Sequence, residues 1–471
     1  MLAMKLTKRN YAVGMEGKVS QVKGKYPSSR KMGRRTFLAS ASAAGAGLAV
    51  ARNSAGQAAA PRTGDLNIAL IGVGAQGRVL IDSILKIPGI RFRAICDIWS
   101  YGQEYGQNYL KKNGHEINVY EDYRELLAAE NDLDAVIVAT PDWKHAEHSI
   151  ACMEGGMHVY CEKEMSNSIE EAKKMVQVSR RTGRLLQIGR QRRSNPRYIH
   201  AIDTLVHKER LLGRITQAYG QWNRPKSGDL GWPRKHEMSP DFLERYGYAS
   251  MRQFRNWRWY RKYGGGPIAD LGSDQIDVFS WVFGAQPKSV MSGGGVDYYE
   301  HHEWYDNVMA IFEFENEDGL GRAMYQVLTT TGHGGFYESF LGEDGSIDLS
   351  EAPQRGNAAL REAHADAAKW YDLAKRGYLR RPKRLAQPAS TRSIIIDVRE
   401  TAPVGAWPLP IELLKPPHQP HLENFFEAVR TGKPLNCPAE EAYKTTVVAF
   451  KVNEAVEAGR KLEFRPEDFR V

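Results

Sequence analysis

Three aspartates follow a glycine-rich loop in the second half of the chain, at a spacing that suits proton transfer. Gly264-Gly265-Gly266-Pro267 predicts a loop that leads into a helix, because proline is favoured at the first helical position. Asp270, Asp274 and Asp277 then fall at positions i, i+4 and i+7 and share one helical face. Carboxylates placed together need compensation from the helix dipole, a lysine, a shared proton or a cation, and Lys163 is the candidate partner. The pattern indicates acid–base chemistry on a hydroxyl, although the helix N-terminus alone would also favour these acids.

A second chemical motif, Gly72-Val73-Gly74-Ala75-Gln76-Gly77, has the spacing of a dinucleotide-binding turn. It follows an apolar strand predicted at 66–71 and precedes a helical apolar pattern at 79–85. Its three glycines permit, in order, a tight turn, the approach of the backbone to a pyrophosphate, and close packing of the following helix. The N–H groups at the start of that helix would bind the phosphates.

A carboxylate at the end of the next strand indicates which dinucleotide binds. A strand predicted at 91–96 ends at Asp97, twenty residues after Gly77. A carboxylate at this position accepts hydrogen bonds from the adenosine ribose hydroxyls and repels a 2′-phosphate. The sequence therefore predicts NAD as the cofactor, in preference to NADP.

Alternation of strands and helices predicts an α/β fold with a parallel, doubly wound sheet in the first half of the chain. The predicted strands are 66–71, 91–96, 135–139, 157–161 and 185–189. Ligands of such sheets bind beyond the carboxyl ends of the strands. Gly72, Asp97, Thr140 and Lys163 all stand at those ends, so we expect them to line one crevice.

Short motifs along most of the chain suggest a known family. They are the fingerprint at 72–77, Thr140-Pro141 with His145, Glu162-Lys163, Gln191-Arg192-Arg193 with Pro196, Gly264-Gly265-Gly266 with Asp270, Gly272 and Asp277, and finally His421, Asn424 and Phe425. Over roughly residues 65–465, this combination resembles the glucose–fructose oxidoreductase/inositol dehydrogenase (Gfo/Idh/MocA) family. The resemblance implies an N-terminal Rossmann domain and a C-terminal α/β domain with an open, mostly antiparallel sheet. It also implies homo-oligomers, dimers or tetramers, formed through that sheet, and substrates among sugars, cyclitols and their derivatives.

The residue pattern, taken together with the resemblance, predicts roles for particular side chains. Lys163 and Asp270 would fix a substrate hydroxyl, while Asp274 takes its proton as hydride leaves for the nicotinamide. The cofactor site would include the fingerprint residues Gly72, Gly74, Ala75, Gln76 and Gly77, together with Asp97, Thr140, His145, Glu162, Lys163 and Arg192. Arg258, before the glycine-rich loop, could reach the cofactor phosphates.

Two positions depart from the family pattern. Glu164 stands where the family usually has proline after Glu-Lys, and we expect a less constrained loop at Lys163. Asp274 stands where the family usually has the histidine that transfers the proton. A carboxylate needs a raised pKa to act as a base near neutral pH, so the second change opens routes other than the usual dehydrogenase mechanism.

The N-terminal residues resemble a twin-arginine export signal. Arg34 and Arg35 precede a weakly apolar, Ala- and Gly-rich stretch at 38–51, which is too short for a stable membrane span. Residues 1–60 hold eleven Lys and Arg against one Glu, a charge of +10, so the net charge of +9 leaves −1 for the remainder. The mature protein therefore lacks the basic character of a nucleic-acid-binding protein. We expect an exported, periplasmic protein.

The domains are predicted as a leader at 1–60, an NAD-binding domain at 61–190 and a substrate and oligomerisation domain at 191–471. Within the last, 289–349 predicts a β-meander, 359–376 a helix, and 351–415 an extended arm. The aromatic run at 257–261 could stack on a sugar or pack as core. His301-His302-Glu303 could line the pocket or bind a metal, but neither their spacing nor that of the four cysteines is diagnostic, so no metal is predicted.

Export and a nucleotide site together restrict the function. No free NAD pool exists outside the cytoplasm, so the cofactor must stay bound and be regenerated in each cycle. The leading hypothesis is an oxidoreductase for a sugar, polyol or glycoside that recycles its cofactor with a second substrate. One alternative is redox-neutral cleavage of a glycoside by oxidation, elimination and reduction. Another is an inactive, NAD-bound scaffold or carbohydrate-binding protein.

Overall fold

The computed structural model describes residues 64–352, 355–382 and 405–471. The predicted leader with Arg34 and Arg35, and the centre of the predicted arm at 383–404, lie outside the described residues. Within those residues, no helix is long and apolar enough to cross a membrane. The same part of the chain forms two β-sheets with helices packed against them.

The first sheet has six parallel strands and confirms the predicted doubly wound fold. Its elements are β1 (Leu66–Ile71), α1 (Ala75–Ile84), β2 (Ile90–Cys96), α2 (Ser100–Lys112), β3 (Asn118–Tyr120), α3 (Tyr123–Ala129), β4 (Ala135–Val138), α4 (Asp142–Glu154), β5 (His158–Cys161), α5 (Ile169–Thr182) and β6 (Leu186–Ile188). The strand order is β3-β2-β1-β4-β5-β6. Because the order reverses between β1 and β4, a crevice opens at the carboxyl ends of these two strands.

The second sheet has nine strands and is mostly antiparallel. They are β7 (Ile215–Asn223), β8 (Pro287–Gly295), β9 (Asn307–Asn316), β10 (Gly319–Leu328), β11 (Phe336–Gly342), β12 (Gly345–Leu349), β13 (Ala358–Arg361), β14 (Ala406–Pro408) and β15 (Leu462–Glu463). Their order is β14-β13-β12-β11-β7-β10-β9-β8-β15, and only β7 and β10 run parallel. The predicted meander is therefore interrupted, because β7 from an earlier part of the chain lies between β10 and β11.

The second half of the chain also forms helices, of which the two long ones, α9 and α12, pack against the second sheet. The helices are α6 (Pro196–Ile199), which continues as a π-helix (His200–Lys208), α7 (Pro240–Arg245), α8 (Met251–Arg255), a π-helical turn (Ile268–Gly272) that leads into α9 (Ser273–Phe283), α10 (Ala367–Lys375), α11 (Gln419–Thr431) and α12 (Ala439–Ala458). The helix predicted at 359–376 is wrong in its first half, where β13 pairs with β12 and β14. Pairing with strands distant in sequence overrides the helical propensity of these alanines.

Helix α11, near the end of the chain, packs on the first sheet rather than the second. Its Leu422, Phe425 and Phe426 are fully buried in the same apolar cluster as Leu66 and Ile68 of β1. The apolar face of α11 thus completes the core beneath the nucleotide crevice. This packing also brings His418, just before α11, within hydrogen-bond distance of α1.

Candidate active site

The glycine turn after β1 has the shape that a pyrophosphate requires. Gly72 has a φ of +97°, and a Cβ there would lie 2.6 Å from the carbonyl oxygen of Ala139. A Cβ on Gly77 would collide with the carbonyl oxygen of Gly72, so α1 packs as closely as predicted. A Cβ on Gly74 would meet no atom within 4 Å, which leaves room in front of the helix. Glycine is therefore required where the backbone is crowded, and open space remains where a phosphate would bind.

The first residues of α1 leave its N-terminus free for a ligand. The helix begins at Ala75, and its N-cap residue, Gly74, offers no side chain to the first N–H groups. Gln76 is directed elsewhere, because its Nε2 lies 2.9 Å from Nε2 of His418. The main-chain N–H groups at the start of α1 are therefore available to an anion, while the Gln76 side chain ties α1 to the segment before α11.

Asp97 stands at the end of β2, where the adenosine ribose would bind. One carboxylate oxygen accepts the Val73 N–H at 2.7 Å, and the other accepts the Trp99 N–H at 2.8 Å. Burial raises the pKa of Asp97, while these two hydrogen bonds and the charges of Arg78 and Arg255 oppose the increase. Each carboxylate oxygen accepts more than one hydrogen bond, so Asp97 can still bind ribose hydroxyls.

His145 holds together the loops that follow β4 and β5. Its Nε2 lies 2.6 Å from the carbonyl oxygen of Thr140, and its Nδ1 lies 2.6 Å from that of Glu164. Burial favours the neutral ring, but neighbouring Cys161 and these two carbonyls raise the pKa of His145 to about 9. Both ring nitrogens face protein groups, so His145 supports the predicted cofactor site by fixing its loops. The Thr140 hydroxyl is 3.1 Å from Nδ1 of His148.

Glu162 carries a buried oxygen that a cofactor could satisfy. Its side chain lies against Gly189, where a Cβ would come within 2.9 Å of the carboxylate. Among the described residues, no group hydrogen-bonds to its Oε1 atom, although Glu162 is only 4% exposed. A buried acceptor without a donor is costly, and a ribose hydroxyl is a donor of suitable type. Together with the glycine turn, this oxygen indicates that the residues of the crevice fit a bound NAD.

Lys163, one residue further, reaches the predicted helix of the second half. Its Nζ donates a hydrogen bond to the main-chain carbonyl of Asp270 and lies 3.8 Å from Oδ2 of Asp274. The Lys163 side chain is 16% exposed and that of Asp274 only 2%. The lysine therefore stands between the open crevice and a carboxylate buried behind it.

Lys163 lies beside Asp270 and Asp274, whereas Asp277 pairs with Arg193, so the three aspartates have different sets of cations. Asp270 lies within the π-helical turn at Ile268–Gly272, whereas Asp274 lies in the first turn of α9. The carboxylate of Asp270 accepts a hydrogen bond from Nε of Arg258 at 3.1 Å. Burial would raise the pKa of Asp270, but Arg258 and Lys163 are the main causes that lower it to about 2. Asp270 is therefore a permanent anion beside the crevice.

Asp277 serves the structure of the second half rather than the crevice. Arg193 donates two hydrogen bonds to its carboxylate, at 2.7 and 2.9 Å, and the Thr445 hydroxyl donates a third at 2.9 Å. Its side chain is 1% exposed. This ion pair ties α9 to the segment after β6 and to α12.

Arg190 and Glu164 form a buried pair that the sequence did not reveal. One guanidinium nitrogen of Arg190 lies 2.9 and 3.0 Å from the two carboxylate oxygens of Glu164, and both side chains are almost fully buried. Glu164 also accepts hydrogen bonds from the Thr446 hydroxyl and the Met165 N–H. The expectation of a loosely held loop at Lys163 is therefore wrong, because the side chain of Glu164 anchors it. The same arginine lies 3.8 Å from Asp274.

Asp142 is a second acid that sequence reasoning missed. It is the first residue of α4, directly after the predicted strand end at Thr140-Pro141, and it is 3% exposed. Burial, followed by the negative charge of Asp270, raises the pKa of Asp142 to about 8, although Arg258 opposes the change. A carboxyl group that titrates near neutral pH beside a ligand crevice is a candidate acid or base. Its position after a strand end was the only available signal.

The two arginines predicted near the cofactor differ in position. Arg192 is buried and forms ion pairs with Glu338 of β11 and with Glu351, so it joins the segment after β6 to the second sheet. Arg258 is 40% exposed, pairs with Asp270 and lies 4.2 Å from the ring of Trp257. Binding of the cofactor by either arginine stays a prediction.

A cleft opens beside Asp270 on the side of the second sheet. Its walls include Arg224, Ser227, Arg258, Trp259, Asp270 and Thr329. The ring of Trp259 stacks on His302 with 4.4 Å between ring centroids, and His302 stacks in turn on Tyr299. The aromatic run thus contributes a flat wall to the cleft, which is a suitable surface for a sugar ring.

Comparison with known proteins identifies two family models along the chain. The model described as "Oxidoreductase family, NAD-binding Rossmann fold" matches residues 66–190. The model described as "GFO/IDH/MocA C-terminal domain" matches residues 204–348. The two matched segments contain the glycine turn, Lys163 and all three aspartates.

Curated relatives match mainly in part of their length. A 4-carboxy-2-hydroxymuconate-6-semialdehyde dehydrogenase from Sphingobium sp. is 37% identical over 169 residues, which cover 36% of this chain and 52% of that protein. A glycosyl hydrolase family 109 protein from Saccharopolyspora erythraea is 30% identical over 176 residues, or 33% of this chain and 38% of that protein. The matched region thus spans about half or less of these relatives.

Solved structures share the fold at low sequence identity. The aldose–aldose oxidoreductase of Caulobacter crescentus has a TM-score of 0.62 at 17% identity, covering 85% of this chain and 100% of that one. The WlbA dehydrogenase of Bordetella pertussis, in complex with NADH and UDP-GlcNAcA, has a TM-score of 0.59 at 16% identity, with coverages of 85% and 99%. At such identities the likeness establishes the fold alone.

Proposed function

The chain belongs to the Gfo/Idh/MocA oxidoreductase family and has an NAD-binding Rossmann domain; on this premise we propose that it oxidises a hydroxyl of a sugar, polyol or glycoside outside the cytoplasm and reoxidises its bound cofactor in the same site. One observation carries the proposal. Lys163, at the end of β5, lies between the crevice of the first sheet and the Asp270–Asp274 turn of the second. A hydroxyl-bearing ring in the neighbouring cleft would present its reacting atoms to this lysine.

In this proposal the side chains divide the proton chemistry among them. NAD, when bound, supplies the acceptor for the hydride that leaves the substrate carbon. The ammonium group of Lys163, the more exposed of the lysine–aspartate pair, gives a proton to the Asp274 carboxylate 3.8 Å away and takes the hydroxyl proton in return, so that Asp274 holds the proton as hydride leaves. The ionised Asp270 accepts a hydrogen bond from the substrate. Arg258 orients Asp270 through its hydrogen bond.

Export is part of the same proposal and rests on Arg34 and Arg35 in the sequence. Outside the cytoplasm, a released NADH would not be replaced, so retention of the cofactor follows from the location. The test compares the wild-type chain with an Arg34→Lys, Arg35→Lys double variant by cell fractionation. We expect the wild-type protein in the periplasm and the variant in the cytoplasm; equal distribution would contradict the exported location.

The function is tested by measuring the bound nucleotide and the products formed from the sugars. Purified protein is denatured, and the released nucleotide is identified and measured against protein. Intact protein is then incubated with pairs of sugars, and products are measured with the absorbance of reduced cofactor. We expect bound NAD and coupled oxidation and reduction without accumulation of NADH. Protein with neither bound NAD nor affinity for it would contradict the proposal, and bound NAD without turnover would favour an inactive scaffold.

A second candidate function is redox-neutral cleavage of a glycoside. Asp142 favours it, because a carboxyl group with a pKa of about 8 is largely protonated near neutral pH and can donate a proton to a departing glycoside oxygen. A relative named as a glycosyl hydrolase family 109 protein is consistent with this route. Aryl glycosides provide the test: release of the aryl alcohol by wild-type protein, lost in Asp142→Asn while oxidation of free sugars persists, would select this route.

We also propose a homo-oligomer that forms through the second sheet. Met291, Met309 and Met324 on its uncovered face are 50%, 53% and 49% exposed, and Ile311 on the central strand of the three is 39% exposed. Met291, Ile311 and Met324 lie in register across β8, β9 and β10. An apolar row of this kind marks an interaction surface. Met309→Asp should lower the mass measured by sedimentation; an unchanged mass would contradict this interface.

A further inference from the structure

The cleft beside Asp270 contains a positive charge without a partner. Arg258 is neutralised by Asp270 at 3.1 Å. Arg224, which also lines the cleft, has no Asp or Glu within ion-pair distance among the residues that the structure describes. Its guanidinium lies 5.5 Å from the ring of Trp222 and is exposed. An arginine that lines a cleft without a carboxylate is available to a ligand.

Hydrogen bonds fix the main chain at Arg224, so the Cα of this arginine has a defined position. Arg224 follows β7 directly, and its N–H donates to the carbonyl oxygen of Leu328 at the end of β10. The preceding residue, Asn223, is buried and donates to the carbonyl oxygen of His333. The main chain of Arg224 is thus held by the sheet, while its side chain lines the cleft.

The remaining charges of the cleft do not balance this arginine. Lys163 adds a cation whose carboxylate partner, Asp274, is buried behind it. The pKa of Asp270 is lowered by Arg258, Lys163 and Arg224, against the effect of burial, which places the head of Arg224 near that carboxylate. Three cations therefore face one permanent anion. The lining of the cleft also includes the ring of Trp259, which stacks on His302.

We propose that Arg224 binds a carboxylate on the substrate, so that the substrate class is a uronic acid or a glycoside that contains one. A carboxylate matches the planar fork of a guanidinium in a two-point contact. The aromatic wall would pack on the sugar ring while its hydroxyl points to Lys163. This inference rests on the proposed function, because it names the substrate of the same site.

Direct binding gives the first test and does not depend on turnover. Calorimetry of the nucleotide-bound protein compares a methyl hexuronoside with its methyl ester, which has the same ring without the charge. We expect the acid to bind about tenfold more tightly or better, and Arg224→Gln to remove this difference. Arg470→Gln, which removes an exposed arginine near the end of the chain, serves as the matched control and should leave the preference intact.

Turnover gives the second test and separates the two proposals. We expect kcat/KM for uronic acids to exceed that for the corresponding neutral sugars, and Arg224→Gln to reduce it mainly through KM. Bound nucleotide content should be the same in the variant. Equal binding and turnover of acid and ester would overturn the role of Arg224 while leaving the oxidoreductase intact. A preference for sulfated sugars over uronic acids would also overturn the carboxylate assignment.

Discussion

The two ends of the crevice are built by different means. At the adenosine end, Asp97 is held by two main-chain N–H groups, from Val73 and Trp99. At the substrate end, Asp274 lies between two side-chain cations, Lys163 and Arg190, which come from the ends of other strands. The first arrangement uses backbone fixed by the fold. The second depends on several charged side chains that must be present together.

This difference predicts different responses to substitution. Loss of a charge at the adenosine end leaves the glycine turn and its main-chain N–H groups in place. It should therefore change the preference between NAD and NADP rather than prevent binding. Loss of a charge at the substrate end leaves an opposite charge buried without its partner, which is costly. The two departures from the family pattern, Glu164 and Asp274, both lie against Arg190 and therefore act as one arrangement.

The largest expected effect is the loss of activity in Lys163→Ala. Lys163 is the more exposed member of its pair with Asp274 and takes the hydroxyl proton in the proposed mechanism, so turnover should fall about 10²–10⁴-fold. Nucleotide content should not change, because the glycine turn and Asp97 remain. Lys174→Ala, on the exposed face of α5, is the control. Undiminished turnover in Lys163→Ala would exclude this lysine as the proton acceptor.

The next largest effect is on stability, in Arg190→Met. This change leaves Glu164 buried without its cation, and the free energy of unfolding should fall by about 3–5 kcal/mol in urea denaturation. The surface pair of Arg180 with Glu440 gives a matched comparison, since Arg180→Met should cost about 0–1 kcal/mol.

A double variant sharpens this test. If the penalty arises from the unpaired carboxylate, Glu164→Gln combined with Arg190→Met should be less destabilised than the sum of the two single variants. Strict additivity would mean that the two side chains stabilise the loop independently. The claim that the substrate end of the crevice depends on paired buried charges would then be wrong.

The adenosine end could be predicted from the sequence because its signals are local. The strand, the three glycines and α1 follow one another within twenty residues, and Asp97 ends the next strand. Gly72 and Gly77 are required because the backbone around them is crowded, and Gly72 also has a φ of +97°. The doubly wound fold and the preference for NAD follow from such short-range patterns.

The substrate end could be predicted only in its outline. The sequence predicts Lys163 and the aspartate helix, but it does not reveal the ion pairs and hydrogen bonds around them. Thr446, for example, lies 282 residues from its partner Glu164, and Arg193 lies 84 residues from its partner Asp277. No sequence period reveals which arginine contacts which acid. The π-helical turn before α9 and the burial of Asp142 likewise depend on packing between segments that are distant in the chain.

A smaller effect is expected for Asp97→Asn, which tests the adenosine end. The change removes the negative charge beside Arg78 and Arg255, so a 2′-phosphate would meet two arginines without a carboxylate. The preference for NAD over NADP, measured by the two dissociation constants, should fall by about tenfold or more. Glu104→Gln, which removes an exposed carboxylate of α2, should leave the preference unchanged. An unaltered ratio in Asp97→Asn would show that Asp97 does not discriminate.

The last test is a pH dependence that contrasts Asp142 with Asp97. At Asp97 two main-chain hydrogen bonds oppose burial, whereas at Asp142 burial and the Asp270 charge raise the pKa from 3.8 to about 8. The stabilisation of protonated Asp142 is complete below pH 3.8 and is lost as the pH rises through about 8. The wild-type protein should therefore lose more stability between pH 5 and pH 9 than Asp142→Asn, at up to about 1.4 kcal/mol per pH unit. Parallel urea-denaturation profiles would mean that Asp142 is ionised throughout, and hence that burial does not govern this acid.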